Sequence, residues 1–386
     1  MDLVRPLGLA GRRCAVAAPS HDVARYSRFT VATVPWADPW REPDRLLDAL
    51  LSFAAGHPAP PALVYEGDWD LLLVSRHRDR LGGAFRFVVA GSELVEDLVD
   101  KDRFRDLAER LPLPVPPSRR VAAATEDPAA GLGVPYPVVV KPLTRQNRTW
   151  RPVAGTAKAV RADSPAELRR LWGRLGDGDD ELLVQALVPG GERRVESYHA
   201  YVDSSGAVAG EFAGRKIRTQ PAEHGFSTAL EITAEPDVLR LGRELVERMG
   251  LRGVAKLDFK RDPGGRLWLL EVNPRFNLWH HPGARAGVNL PDLVFRDLTG
   301  EPRPAPRAAT PGVRWAYHRH DARAAREAGI PLRRWLRWFA ACEAKSVVSL
   351  DDPWPFLRGT LQRARAAATR DADASEGRPS TRREAG

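Results

Sequence analysis

The chain has 386 residues, 43% of them hydrophobic, and a formal net charge of +9. Its length and apolar content predict a large buried core divided among two or three domains. No apolar run approaches the length that spans a bilayer, and the apolar stretch near the start is too short for a signal peptide. Only two cysteines occur, Cys14 and Cys342, which argues against a disulfide framework and predicts a protein of the reducing cytoplasm.

The excess of positive charge is compatible with nucleic acid, an anionic membrane or an anionic small molecule as ligand. The 52 arginines are spread along the whole chain, which favours a small anionic molecule over nucleic acid. Only seven lysines occur, so a position that keeps lysine indicates a need for a compact point charge in place of a guanidinium fork.

The N-terminal part alternates short β-like runs with helical ones, which predicts a small open α/β domain over residues 1–111. Strands are predicted at 14–18, 30–34, 62–65 and 85–90, and helices at 44–55 and 68–81. Ligands of such sheets bind beyond the carboxyl ends of strands, so residues 19–21 and 66–68 are candidate binding loops. No glycine-rich dinucleotide fingerprint follows these strands, which argues against a nicotinamide site.

A helix that opens at Lys101 is followed by a proline-rich connector at 112–117, where the sequence predicts a domain boundary. The apolar run 137–142 predicts a buried strand with Lys141 at its exit, before a polar loop. Ser164 and Glu167 form a capping box that begins a helix ending near residue 175. A second apolar strand over 181–188 ends at the sequence Pro-Gly-Gly-Glu.

The next segment is predicted to be a hairpin of residues 194–203 and 207–213, and a helix follows over 235–249. Between them lie two stretches rich in groups that bind oxyanions. We expect these stretches to hold a substrate carboxylate through Arg215, Lys216, Arg218, His224 and Ser227. The alternative is an exposed basic strand.

Two alternating runs, 254–260 and 267–273, flank the sequence Asp-Pro-Gly-Gly and predict a β-hairpin. A two-residue turn at Gly264-Gly265 would set Asp258 opposite Glu271 on one face of the hairpin. The same register sets Lys256 opposite Asn273 on that face, and gives the core face to Leu257, Phe259, Leu270 and Val272.

Two carboxylates that face each other across a ladder repel unless a cation lies between them. The carboxylates of Asp258 and Glu271 and the amide oxygen of Asn273 are ligands of the kind that Mg²⁺ takes, and Mn²⁺ is also possible. The alternative is an exposed polar face neutralised by Lys256 and Lys260.

The C-terminal part begins with a linker at 301–311 and continues to residue 366 as a helical extension rich in Trp and Arg. This extension could lie on an anionic membrane or pack as a lid. The helical spacing of Trp335, Trp338 and Phe339 favours packing in a core. Residues 367–386 have no apolar period and are expected to be disordered.

The order of these motifs resembles the ATP-grasp superfamily, and within it the carboxylate–amine ligases related to D-aspartate ligase and the carbamoyl-phosphate synthase large subunit. The resemblance covers about residues 12–300 and rests most firmly on Asp-Phe followed by Glu-Val-Asn-Pro-Arg at strand spacing. It implies an α/β (α+β) fold with an ATP-grasp domain over residues 112–300, whose small lid subdomain covers about 119–188.

The resemblance also implies roles for individual residues. Lys101 and Lys141 resemble the lysines that hold the ATP phosphates. Residues 185–188 resemble the hinge between lobes. At that hinge the resemblance implies adenine contacts from Gln185 and from the main chain of Ala186 and Val188, with Glu192 near the ribose. Asp258, Glu271 and Asn273 match the metal ligands, and Arg275 matches the arginine that steadies the transferred phosphoryl group.

One departure from the family concerns the loop 143–151, which contains no glycine and three arginines. Either these arginines replace backbone amides over the phosphates, or the loop meets an anionic substrate.

The implied reaction is attack of a substrate carboxylate on ATP to give an acyl phosphate, followed by capture by an amine. Rival interpretations are a ligase that uses another nucleophile or carboxyphosphate, and a basic binding module with a vestigial nucleotide site. Small-molecule substrates are expected as partners, nucleic acid is not, and a homodimer is possible.

Overall fold

The computed structural model describes residues 1–143, 150–154, 159–175, 181–222 and 225–376. In these residues the helices are α1 (Val4–Leu9), α2 (Pro43–Ala55), α3 (Asp68–Arg76), α4 (Arg78–Gly82), α5 (Ser92–Val99), α6 (Lys101–Arg110), α7 (Trp150–Ala154), α8 (Pro165–Trp172), α9 (Pro236–Arg248), α10 (His280–Arg285), α11 (Leu290–Thr299), α12 (His318–Glu327), α13 (Leu332–Ala340) and α14 (Trp354–Glu376).

The strands form three sheets. They are β1 (Cys14–Ala17), β2 (Thr30–Val34), β3 (Ser118–Ala122), β4 (Val138–Pro142), β5 (Val160–Ala162), β6 (Glu181–Ala186), β7 (Val195–Val202), β8 (Val208–Gln220), β9 (Phe226–Thr233), β10 (Gly253–Arg261), β11 (Leu267–Asn273), β12 (Arg314–Ala316) and β13 (Ala344–Lys345).

The N-terminal part contains the parallel pair β1–β2, packed with α2 and α3 around Leu47 and Leu71. The predicted strands 62–65 and 85–90 form only a single parallel bridge, between Ala62 and Arg86, so this part of the prediction is wrong. The helix predicted over 68–81 is divided at His77 into α3 and α4.

A small antiparallel sheet with the order β3-β6-β4-β5 occupies the predicted lid region. Its valine-rich strand β4 is buried on both faces, and Val138 and Val140 pack against Leu168 of α8. The helix α8 begins as predicted, because the Ser164 hydroxyl accepts a hydrogen bond from the Glu167 N–H.

The large sheet has the order β11-β10-β7-β8-β9-β12-β13. Apolar side chains of α9, α5 and α6 cover one face, where Tyr198 and Phe259 are buried. The other face packs against α10, α11 and α1 through Trp279 and Phe212. The core therefore lies on both sides of this sheet.

The predicted hairpin is formed by β10 and β11, and the pairing of Asp258 with Glu271 and of Lys256 with Asn273 is confirmed. The prediction of a two-residue turn is wrong. The Asp262 N–H donates to the Arg266 carbonyl at 2.9 Å, so three residues form the loop, and Gly265 has a φ of 88° there.

A β-bulge compensates for the longer turn. Phe259 pairs with Leu269, which leaves Leu270 as the extra residue and returns Asp258 to a position opposite Glu271. The bulge also moves Leu270 out of the predicted core position, and the fully buried side chain is that of Leu269.

The C-terminal segment is not a separate helical extension, because β12 and β13 join the large sheet beside β9. The predicted burial of Trp335 is confirmed, while Trp338 and Phe339 are half-buried. The helix α14 continues to Glu376, past the predicted start of disorder, and residues 377–386 lie outside the described residues. In the described chain, no helix has both the length and the apolar character needed to cross a membrane.

Candidate active site

The polar face of the β10–β11 hairpin is the centre of the candidate site. Strand alternation directs Lys256, Asp258 and Lys260 to the same face of β10. On β11, Glu271 and Asn273 share that face, and the Asn273 amide donates to Glu271 Oε1 at 3.1 Å. The side chains that the sequence assigns to a metal are thus adjacent.

Asp258 is a buried carboxylate held by cations. It is 3% exposed, and its Oδ2 lies 2.5 Å from Lys256 Nζ. The Ser197 hydroxyl donates to its Oδ1. Burial would raise the pKa of the Asp258 carboxyl, but Lys256 and Lys216 hold that pKa well below its usual range. The group is therefore ionised and able to act as an oxygen ligand.

The donor types at this face suit a bound cation, and in this structure Lys256 supplies the positive charge between them. Lys256 Nζ lies 2.5 Å from Asp258 and 3.9 Å from Glu271, so an ammonium charge already stands between the two facing carboxylates. Within the described chain, no group of three or more His, Cys, Asp and Glu side chains is arranged to hold a metal. Two carboxylates and an amide suit Mg²⁺, which usually completes its shell with water and phosphate oxygens.

Two lysines reach this face from the lid side. Lys101 Nζ, on the first turn of α6, donates to the Pro142 carbonyl at 2.5 Å, next to Lys141. Lys141 Nζ donates to Gln185 Oε1 at 2.8 Å. Removal from water lowers the pKa of the Lys141 ammonium, and Glu271 opposes that effect. The structure therefore brings Lys141 of the lid sheet, with Lys101 of α6 beside it, towards Glu271 of the large sheet.

Glu192 and Lys216 lie at the same cleft. Lys216 Nζ is 3.7 Å from Glu192 Oε2, and both side chains are largely buried. Lys216 also acts on Asp258, and Glu192 on Lys141. Strands β4, β8 and β10 and the turn at Glu192 thus contribute charges to one cleft.

Arg275 joins the hairpin to the N-terminal part. Its Nε donates to Asp68 at the start of α3, and its Nη1 donates to the Glu66 carbonyl at 2.8 Å. Nη2 lies 3.3 Å from the Asn273 amide oxygen. The predicted loop 66–68 therefore meets the predicted catalytic arginine.

The hinge backbone already makes hydrogen bonds to neighbouring loops. The Ala186 N–H donates to the Pro117 carbonyl and the Leu187 N–H to the Pro137 carbonyl, each at 2.8 Å. An adenine contact at Ala186 would therefore use its carbonyl group, while Val188 lies just beyond.

Several predicted site residues are not brought to this group. Arg215 lies on the opposite face of β8, where it pairs with Glu231 at 2.9 Å. Arg218 donates twice to Asp321, each time at 2.7 Å, so its charge is used to hold α12. Ser227 is buried and pairs with Thr219 on β8. His224 and residues 144–149 of the arginine-rich loop lie outside the described residues.

Two polar residues of the site were missed as functional candidates. Lys260 is 6% exposed on the face of Asp258, and its charge acts on Lys141. Lys260 follows Asp258 by two residues, and in a strand this spacing predicts that both side chains lie on the same face. Ser197 contacts Asp258 only because β7 pairs with β10, a contact between distant segments that no local pattern indicates.

His280 and His281, at the start of α10, are buried and have almost no exposed surface with which to line the cleft. The ring of His280 lies 6.4 Å from that of His199 and 5.3 Å from that of Phe276, measured between centroids.

The chain is similar to known proteins in sequence. Residues 180–320 match a family described as ATP-grasp in the biosynthetic pathway with Ter operon. The D-alanine–D-alanine ligase of Halorhodospira halophila is 28% identical over 218 residues, which cover 52% of this chain and 66% of the relative. The D-aspartate ligase of Enterococcus faecium is 24% identical over 243 residues, or 61% of this chain and 58% of the relative. The chain spans less than two thirds of either relative.

Solved structures share the fold. N5-carboxyaminoimidazole ribonucleotide synthetase from Thermus thermophilus superposes with a TM-score of 0.57 at 19% identity, covering 81% of this chain and 78% of that one. An L-amino acid ligase from Bacillus licheniformis gives 0.57 at 15% identity, covering 77% and 70%. Residues 180–320 are therefore similar to an ATP-grasp family, and the fold of the chain is similar to that of these solved ligases and synthetases.

Proposed function

We propose that this chain is an ATP- and Mg²⁺-dependent ligase that couples a substrate carboxylate to an amine and releases ADP and phosphate. The observation that carries the proposal is the facing pair Asp258 and Glu271, with Lys141 of the lid sheet acting on Glu271 across the cleft. Acids and lysines on opposite walls of one cleft suit a metal–phosphate ligand.

In the first step, a carboxylate oxygen of the substrate attacks the γ-phosphorus of ATP, and the bond between the γ-phosphorus and the bridging oxygen breaks to release ADP. Lys101, Lys141 and Lys260 hold the phosphate oxygens as point charges. Asp258, Glu271 and Asn273 would hold Mg²⁺, which supplies positive charge to the phosphates when bound. Arg275, fixed by Asp68, orients the transferred group.

In the second step, the amine nitrogen attacks the acyl carbon, phosphate leaves and the nitrogen loses a proton. Lys216, held near Glu192, is placed to bind a substrate carboxylate. Amino acids are the first class to test, because the names of the D-alanine–D-alanine, D-aspartate and L-amino acid ligases each contain one. Both cysteines are free and buried, which supports work in a reducing compartment such as the cytoplasm.

The test is ADP release over a panel of amino acids and hydroxy acids, each with and without amine acceptors. We expect at least one acid and amine pair to raise ADP release well above that of ATP alone. Chelation of Mg²⁺ should return the rate to background. Protein that releases no ADP with any pair, but binds DNA with a steep dependence on salt, would contradict the proposal.

A further inference from the structure

Large apolar side chains are exposed on the first half of α14 and just before it. Eleven such side chains are exposed among the described residues, and four of them lie within residues 350–361. They are Leu350, Trp354, Leu357 and Leu361, with exposed fractions of 101%, 55%, 45% and 55%. A single exposed leucine is ordinary, but a group of large apolar side chains in so short a segment indicates a binding surface.

The exposed apolar residues of α14 lie on one side of the helix. Successive residues of an α-helix are rotated by about 100° around its axis. Trp354, Leu357 and Leu361 therefore fall within an arc of about 100°, and the exposed Arg358 and Arg365 fall within the same arc. We call these five residues the α14 stripe. The stripe combines apolar side chains with positive charges on a single face of the helix.

The other side of α14 packs on the rest of the protein, so the stripe faces outward. The Phe356 ring lies 5.6 Å from a histidine ring at the start of α12. The Gln362 amide donates to the Tyr26 hydroxyl at 3.1 Å. Gly359 is buried, and a Cβ added there would lie 2.8 Å from the side chain of Val23. These contacts fix which face of the helix is left uncovered.

The charge of this segment is positive throughout. Residues 354–370 contain four arginines and no acid, and acids return only at Asp371, Asp373 and Glu376. Each other described helix of eight or more residues, except α13, carries an acid in its first turn. An exposed apolar stripe flanked by arginines, without carboxylates, is typical of a helix that lies on an anionic bilayer.

Two other occupants fit the stripe less well. A second copy of this chain in a symmetric dimer would place the stripe against itself and bring arginines together. Nucleic acid would pair with the arginines, but Leu357 and Leu361 have no group that bonds to a phosphate or a base edge. An anionic bilayer suits both kinds of side chain, because its acyl region buries the apolar ones and its head groups pair with the guanidinium groups.

From this geometry we infer that the α14 stripe, with Leu350 before it in the chain, binds the surface of a bilayer that contains anionic phospholipid. Trp354 suits the boundary between head groups and acyl chains, because its ring is apolar and its indole N–H is a hydrogen-bond donor. The contact is peripheral, and the helix lies along the surface. No residue of the candidate active site belongs to the stripe, so the inference does not depend on the proposed ligase function.

The test measures sedimentation of the full chain with phospholipid vesicles in the absence of ATP. The vesicles contain phosphatidylcholine alone, or phosphatidylcholine mixed with phosphatidylglycerol. We expect the protein to bind the mixed vesicles, to stay in solution with the neutral ones, and to be released as sodium chloride is raised. Trp354→Ser should weaken binding about tenfold and Arg358→Gln about fivefold. Both side chains are exposed, so both variants should melt at the wild-type temperature.

Matched controls are Trp36→Ser in the loop after β2 and Arg240→Gln on α9, two exposed residues outside the stripe, and both should bind as wild type. The net charge of +9 alone attracts the chain to anionic vesicles. Equal losses in Arg240→Gln and Arg358→Gln would therefore assign the binding to overall charge and overturn the inference. Unchanged binding in Trp354→Ser would overturn it as well. So would a lipid-free dimer that Trp354→Ser abolishes, which would assign the stripe to a second copy.

Discussion

The charge pattern around Asp258 explains why lysines are kept in a chain that otherwise prefers arginine. Lys256 contacts this carboxylate, and Lys216 acts on it from β8. The charge of Lys260 acts on Lys141 at the same cleft, and an ammonium is a more compact charge than a planar guanidinium fork. The scarcity of lysine pointed to such positions in general, but Lys260 was missed, and Arg215 and Arg218 are not brought to the site. Their alternation on β8 and their carboxylate partners depend on strand pairing that local patterns do not contain.

The buried His280 predicts acid sensitivity of the fold. Burial lowers the pKa of His280 from 6.5 to about 3. Between these two pH values the ring is protonated in the unfolded state and neutral in the folded state. The stabilising effect of neutral His280 is complete above pH 6.5 and is lost as the pH falls from 6.5 towards 3. His280→Leu should reduce the slope of unfolding free energy against pH in this range by up to about 1.4 kcal/mol per pH unit.

Urea unfolding at several pH values between about 6 and 4 measures this slope. The control is His57→Leu, which replaces an exposed histidine on the surface of the N-terminal part. It should keep the wild-type slope. A His280→Leu variant with an unchanged slope would show that this ring is protonated equally in both states.

At the scale of elements, the β10–β11 hairpin shows what patterns in the sequence can predict. Alternation correctly set Asp258 opposite Glu271, although the turn has three residues instead of two. The bulge at Leu270 restored the register, and nothing in the local pattern distinguishes a regular ladder from one with two compensating irregularities. The cap of α8 was predicted correctly because it depends on residues within one turn of the helix.

The three-residue turn of the hairpin predicts different effects on stability for substitutions at Gly264 and Gly265. Gly265 has a φ of 88°, which an L side chain adopts at a cost, whereas Gly264 does not have a positive φ. Gly265→Ala should lower the free energy of unfolding by about 1 kcal/mol. Gly264→Ala should change it much less, because its added Cβ meets only the end of the Asp262 side chain at 3.3 Å. Chemical denaturation compares the two variants, and equal losses would contradict the assigned turn.

At the scale of the whole molecule, both ends of the chain hold the large sheet together. The buried guanidinium of Arg5 donates to the carbonyls of Lys345, Ser346 and Val347 at 2.6 to 2.9 Å. Asp2 accepts from the Trp315 indole at 2.8 Å. Local patterns predicted neither α1 nor the two C-terminal strands, because both are stabilised by contacts across more than three hundred residues. The order of motifs nevertheless predicted the architecture that positions the cleft.

The most direct test of the account is ATP binding by calorimetry, with and without Mg²⁺, in wild type and in Glu271→Gln. We predict that Mg²⁺ increases the affinity for ATP in the wild type. In Glu271→Gln this increase in affinity should be at least tenfold smaller, while the melting temperature stays the same. Glu271→Gln should also abolish ADP formation. The control Glu247→Gln, an exposed acid on α9, should behave as wild type. Full Mg²⁺-dependent binding and full ADP release in Glu271→Gln would contradict the account.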